Sequence, residues 1–227
     1  MSSFFDAYKY IVLTGNYGSG KTEIALNLAL QYARKMKVTL VDLDIVNPYF
    51  RSGEKAQDLK AAGVRMLMPT FALTTVDIPA LPAEIQSVFE EPSDLVIFDV
   101  GGDDTGAAAL GRYYPSFMAR REQTVVAMVV NCMRPLTENK EDIIDLAERI
   151  AIRGRLKIDA LINNTNLADR TTQDMLEKGG RIVNEVSGAL GINNVLTAGQ
   201  ADLLKHLDHE KETIEIQRMM VPEWMQE

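Results

Sequence analysis

Gly15-Asn16-Tyr17-Gly18-Ser19-Gly20-Lys21-Thr22 decides how the rest of the chain is read. Residues 8–13 before it (YKYIVL) predict a short buried strand. Residues 23–36 after it predict a helix, with Ile24, Leu28 and Tyr32 recurring on one face. Strand, G-x-x-x-x-G-K-[ST] and helix in that order form the P-loop pattern in the context that gives it meaning. Its glycines let the backbone wrap closely around a polyphosphate. Successive N–H groups of residues 15–22 then point inward at a helix N-terminus, where an anion is favoured. Lys21 is expected to reach the β- and γ-phosphates, and the Thr22 hydroxyl to ligate Mg²⁺. The stretch therefore predicts a site for a nucleoside triphosphate.

Composition is consistent with that reading. The chain has 227 residues, 46% of them hydrophobic and 25% charged, which predicts a single α/β domain over residues 1–227. No apolar run reaches the ~18 residues of a membrane span. The N-terminal MSSFFDAYKY has no basic segment followed by an apolar one, so no secretory signal is expected and the cytoplasm is the predicted location. One cysteine, Cys132, excludes an internal disulfide and a Cys-x-x-Cys ligand set. A net charge of −8 argues against generic nucleic-acid or anionic-membrane binding.

Working outward, residues 37–43 (KVTLVDL) predict a second strand that runs into Asp42 and Asp44. Carboxylates at the C-terminal edge of a parallel strand sit where ligands bind, and alternation points these two the same way. A carboxylate beside a triphosphate holds Mg²⁺, directly or through water, or orients the attacking water. Residues 94–100 (DLVIFDV) predict a central strand, apolar on both faces, that closes on Asp99-Val100-Gly101-Gly102. Asp99 occupies the Walker B position, and the nearby Gly102 is placed to donate its N–H to a γ-phosphate. Asp103 and Asp104 are expected to be solvated or to cap the next helix.

Further strands are expected at 64–69, 124–131, 157–164 and 192–196. Helices are expected at 54–62, 83–90, 105–121 (broken by Pro115), 138–153 and 171–190, the last interrupted by Gly179-Gly180. Strands alternating with helices predict a doubly wound, mainly parallel sheet of about seven strands. Asn163 and Asn164 close the sixth strand. An amide there offers a donor and an acceptor that match N7 and N6–H of adenine. The Asn-Lys-x-Asp pattern suited to guanine is absent. Arg112, Arg120 and Arg121 read as a solvated helix face. His206 and His209 read as surface residues rather than metal ligands.

Residues 15–22, Asp42-x-Asp44-x-x-x-Pro48, Asp99-x-x-Gly102 and Asn164 together resemble the CobQ/CobB/MinD/ParA group of P-loop ATPases over about residues 8–200. The resemblance implies that Asp44 orients the hydrolytic water in a first switch. It implies that Asp99 and Gly102 form a second switch, and that Asn164 contacts adenine. Many members carry a lysine at the position of Asn16 that reaches across an ATP-bridged dimer. Its replacement leaves a homodimer open and calls for another cation, with Arg51 ranked ahead of Arg112 and Arg134.

Lys21, Asp44 and Asp99 are thus the catalytic candidates, and Thr22, Asp44 and Asp99 those for Mg²⁺. Residues 15–22 with Gly102, Asn163 and Asn164 are the candidates for binding ATP. The function implied is a Mg·ATP-dependent switch acting on a protein or metal-centre client. The alternatives are an ATP-dependent small-molecule kinase or ligase, and a nucleotide-binding module that barely hydrolyses.

Overall fold

A computed structural model describes residues 3–44, 56–67, 83–90, 93–207 and 212–220. Eight strands form one sheet: β1 (Tyr10–Gly15), β2 (Val38–Leu43), β3 (Arg65–Leu67), β4 (Leu95–Val100), β5 (Thr124–Val130), β6 (Ala160–Asn163), β7 (Asn194–Gly199) and β8 (Thr213–Glu215). Their order is β3-β2-β4-β1-β5-β6-β7-β8, and every pairing is parallel. The P-loop strand is central, between β4 and β5, as the motif requires. The eighth strand exceeds expectation. Thr213–Glu215 adds to the β7 edge and buries Ile214.

The helices are α1 (Lys21–Ala33), α2 (Ala56–Ala61), α3 (Ala83–Ser87), α4 (Asp103–Gly111), α5 (Tyr114–Met118), α6 (Lys140–Gly154), α7 (Gln173–Leu190) and α8 (Ala201–Leu204). Strand side chains alternate between two apolar layers, because successive residues point to opposite faces. Val12, Phe98, Val126 and Met128 meet Leu110, Phe117, Ile143, Ile150 and Val183 on one face. Ile11, Leu13, Ile97 and Val129 meet Ile24, Leu28 and Leu59 on the other, where Phe5 and Ile214 also pack. Burial on both faces is why β1, β4 and β5 read as unbroken apolar runs.

Two helix expectations need correction. The predicted helix at 105–121 is two helices, with Pro115 in the first turn of α5, where its missing N–H costs nothing. The predicted interruption at Gly179-Gly180 does not exist, since α7 runs continuously from Gln173 to Leu190. Gly179 serves close approach instead. A Cβ there would lie 2.0 Å from Thr165 Oγ1 and 2.8 Å from Asn163 Oδ1. Replacing Gly179 by Ala is therefore expected to lower stability by about 1–3 kcal/mol, the usual cost of overpacking. Denaturant unfolding measures this, and an unchanged midpoint would contradict the packing.

Asp103 begins α4 and Gly102 is its N-cap, so of the two roles expected of Asp103 and Asp104, solvation or capping, the cap position belongs to Gly102. Arg51, the predicted loop at 70–82, Asn47-Pro48 and His209 lie outside the described residues, whereas His206 is exposed. Among the described residues, no helix is long and apolar enough to cross a membrane.

Candidate functional site

The C-terminal ends of β1, β2 and β5 to β8 surround a cavity of about 720 Å³. Its floor is the 15–22 loop. Gly20, at φ +91°, is the N-cap of α1, a left-handed conformation that an L side chain rarely adopts. A Cβ at Gly20 would also meet Asn164 Nδ2 at 2.3 Å. Lys21 is buried, and its Nζ donates to the Asn16 carbonyl at 2.9 Å, so the ammonium is folded back over the loop. Asn16 stands at the position of the expected lysine and ties the loop down. Its Oδ1 accepts from Tyr17 N at 2.8 Å, and its Nδ2 donates to the Pro135 carbonyl at 2.9 Å.

The acidic wall lies beside Lys21 and Thr22. Asp42 and Asp99 are register partners on adjacent strands, and both are buried. Thr22 Oγ1 donates to Asp99 Oδ2 at 2.6 Å. Burial, then the Asp42 charge, push the Asp99 carboxyl from its ordinary 3.8 up to about 7, with Asp44 adding a smaller push. The Thr22 hydrogen bond and Lys21 act in the opposite sense. Asp42 also accepts the Asp44 N–H at 2.9 Å and sits behind the cavity, whereas half-buried Asp44 lines it.

The residues present fit Mg²⁺. Asp99 Oδ1 is buried with no hydrogen-bond partner, beside a threonine hydroxyl. Hard oxygen donors, one hydroxyl and one carboxylate, are what this ion takes when phosphate and water supply its remaining ligands.

The two carboxylate loops also touch each other and the P-loop. A Cβ on Gly101 would lie 3.0 Å from Asp44 Oδ1, and one on Gly102 would lie 2.8 Å from both Tyr17 Cα and Tyr17 N. Gly102 therefore abuts the P-loop backbone directly.

The amides divide. Asn163 leaves the site: its Nδ2 donates to the Leu176 carbonyl at 3.0 Å, and its Oδ1 accepts from Thr165 N and Oγ1. Its expected contact with a base is corrected to a tie between β6 and α7. Asn164 does line the cavity, but its Nδ2 donates to the Ser19 carbonyl at 2.7 Å. The two-point adenine contact expected of it loses its donor half to the P-loop.

Sequence reasoning missed three parts of the site. The turn after β5 is one of them, apart from Arg134, which stood among the candidate cations. Buried Asn131 accepts from Met133 N and Asn166 N, and donates to the Asn166 carbonyl, which fixes Arg134, Pro135 and Leu136 at the cavity edge. The far end is the second, where Ala168, Leu176, Gly199, Gln200 and Leu203 form a mainly apolar recess. The third is the C-terminal segment that walls this recess. Glu23 accepts from Met219 N at 2.5 Å and Met220 N at 3.1 Å, Asn27 and Gln217 exchange two hydrogen bonds, and Arg218 pairs with Asp169.

The other sequence candidates fall elsewhere. Arg120 donates to the Phe89 carbonyl and Arg121 pairs with Asp159, so both serve the fold rather than an open face. Arg112 closes α4 beside Tyr113 and does not line the cavity. Cys132 is buried, and that burial pushes its thiol up, away from a nucleophile's range.

Neither a protein-family profile nor a curated sequence matches the chain. Solved structures do. Over 84% of its length the chain is similar to 42% of the 54 kDa signal recognition particle protein from Aeropyrum pernix, solved with GDP, at a TM-score of 0.52 and 23% identity. Over 84% it is similar to 62% of the cell division protein FtsY from Thermotoga maritima, at 0.55 and 16%. Over 82% it is similar to 58% of FtsY from Mycoplasma mycoides, at 0.52 and 20%. The chain spans less than two thirds of each of these proteins, and none of them singles out the CobQ/CobB/MinD/ParA group that the motifs resemble. With the central P-loop strand and the all-parallel sheet, they establish that this chain has the P-loop NTPase fold.

Proposed function

We propose that the chain binds Mg·ATP and works as a slow ATPase whose nucleotide state switches its hold on a protein or metal-centre client. One observation carries the reading: Lys21 and Thr22 line one cavity at the P-loop, with Lys21 folded over the loop and Thr22 bonded to the buried Asp99. Lys21 and the loop N–H groups would hold the β- and γ-phosphates. Thr22 and Asp99 would hold Mg²⁺, which supplies neutralising charge to the phosphate oxygens. Asp44 would orient the attacking water, since it lines the same cavity without hydrogen-bonding Thr22.

The switch follows from contact. Asp44 packs on Gly101, and Gly102 packs on Tyr17, so a γ-phosphate seated on the loop would set the position of both carboxylate loops together. ATP is preferred to GTP in this reading because, among the described residues, the recess beyond Asn164 is lined by amides, small residues and apolar side chains. The carboxylate that borders it, Glu23, already accepts from Met219 N and Met220 N, and the Asn-Lys-x-Asp pattern suited to guanine is absent.

The test is calorimetry with Mg·ATP and Mg·GTP. Lys21→Ala is expected to weaken Mg·ATP ten- to a hundredfold, the worth of a charge-assisted phosphate contact at about 1.5–3 kcal/mol. Unchanged affinity would reject the site, and equal affinities of the parent for ATP and GTP would reject the base assignment.

A further inference from the structure

We infer that Arg134 is a second polyphosphate-binding cation, supplied within the chain by the turn after β5; this rests on the cavity being a nucleotide site. Arg134 is distant in sequence from the P-loop yet lies against it. A Cβ on Gly18 would sit 3.4 Å from its Nε and 3.7 Å from its Cδ and Cζ, so the guanidinium runs alongside the loop backbone. It lines the same cavity as Lys21 and Thr22.

The turn that carries it is held from several sides. Arg134 N donates to the Asn131 carbonyl, and Thr137 Oγ1 donates to the Asn131 and Arg134 carbonyls. Asn16 donates to the next carbonyl, that of Pro135, so the P-loop itself grips the turn. Leu136 is held at φ +66°, a left-handed conformation uncommon for a leucine and kept only where the surroundings impose it.

The charge at its end is uncommitted. Among the described residues, no carboxylate pairs with the Arg134 guanidinium and no acceptor hydrogen-bonds it, whereas Arg218 across the cavity is paired with Asp169 and Lys21 is folded onto Asn16. Asp44, Asp99 and Glu23 stand on the opposite side of the balance, in a chain of net charge −8. An exposed arginine held over a phosphate loop by backbone contacts, with its planar fork free, suits bidentate contact with phosphate oxygens. Asn16 at the position of the expected lysine thus has a role in this arrangement. It contributes no charge, but holds the turn that does.

The experiment compares the full chain with Arg134→Ala and Arg134→Lys by titration with Mg·ATP at low and at high salt, alongside thermal unfolding. Arg134→Ala is expected to weaken Mg·ATP roughly tenfold at low salt, with the gap to the parent shrinking at high salt, as an exposed charge contact requires. Arg134→Lys is expected to fall between the two, and both variants to unfold at the parent's temperature because the side chain supports nothing in the fold. Parent-like affinity in Arg134→Ala, or a loss that salt leaves unchanged, overturns the assignment of Arg134 alone. A parent that binds no Mg·ATP overturns the reading of the site, and Arg134 with it.

Discussion

Asp99→Asn is expected to make the nucleotide-free protein more stable above about pH 7 while removing its ability to use Mg²⁺. Folding raises the Asp99 carboxyl from 3.8 to about 7. Below the unfolded value both states hold the proton, so the residue costs nothing. Between the two values the folded chain keeps a proton that the unfolded chain has released. Stability therefore falls as pH rises through that window, by about 1.4 kcal/mol for each pH unit. Above the folded value the loss is complete and amounts to a few kcal/mol.

An amide at the same place does not titrate and can still accept from Thr22. The variant should accordingly show a flatter stability profile between these pH values, and a midpoint several degrees above the parent on the alkaline side. Thermal unfolding in a chelator across that range measures this. Added Mg·ATP should then stabilise the parent and not the variant, because the ionised carboxylate is what the cation needs. A variant less stable than the parent on the alkaline side, or a difference that pH leaves unchanged, would sink the argument.

That buried carboxylate was legible in the sequence because the strand carrying it is apolar on both faces and ends on it. The same signal revealed β1, β2, β4 and β5, and with them the P-loop at the centre of the sheet. Where hydrophobic pattern gives out, the sequence is silent. Thr213–Glu215 is three residues long and follows a run of charge, so its pairing with β7 leaves only Ile214 and Ile216 as a trace. Gly179 reads as a helix breaker in any local window, yet it is needed for what lies across from it, Thr165 and Asn163.

The site divides in the same way. Residues 15–22, Asp44 and Asp99 belong to local patterns. The Asn16–Pro135 bond joins residues 119 apart and the Asn27–Gln217 pair residues 190 apart, and no spacing rule reaches that far. Asn163 and Asn164 show the limit most directly. The sequence places both amides at a strand end, but the direction each points is settled by the carbonyls of Leu176 and Ser19 that need a donor.

Asp44→Ala is expected to leave Mg·ATP affinity within a few fold and to abolish most hydrolysis. The separation follows from where the charges lie. Affinity for the triphosphate comes from Lys21, the loop N–H groups and the Thr22–Asp99 pair that accommodates the cation. A second carboxylate near a polyphosphate contributes repulsion rather than binding, so its removal has little to take away. Turnover differs, since in-line attack on the γ-phosphorus needs a water held and aimed by an acceptor. Asp44 is the carboxylate that lines the cavity while its neighbour Asp42 is buried behind it and spends an oxygen on the Asp44 N–H. Loss of a positioned acceptor typically costs 10²–10⁴ in rate. Phosphate release measured at saturating Mg·ATP gives the turnover, and titration calorimetry the affinity. Fast turnover by the parent that Asp44→Ala leaves untouched would remove the water-orienting role.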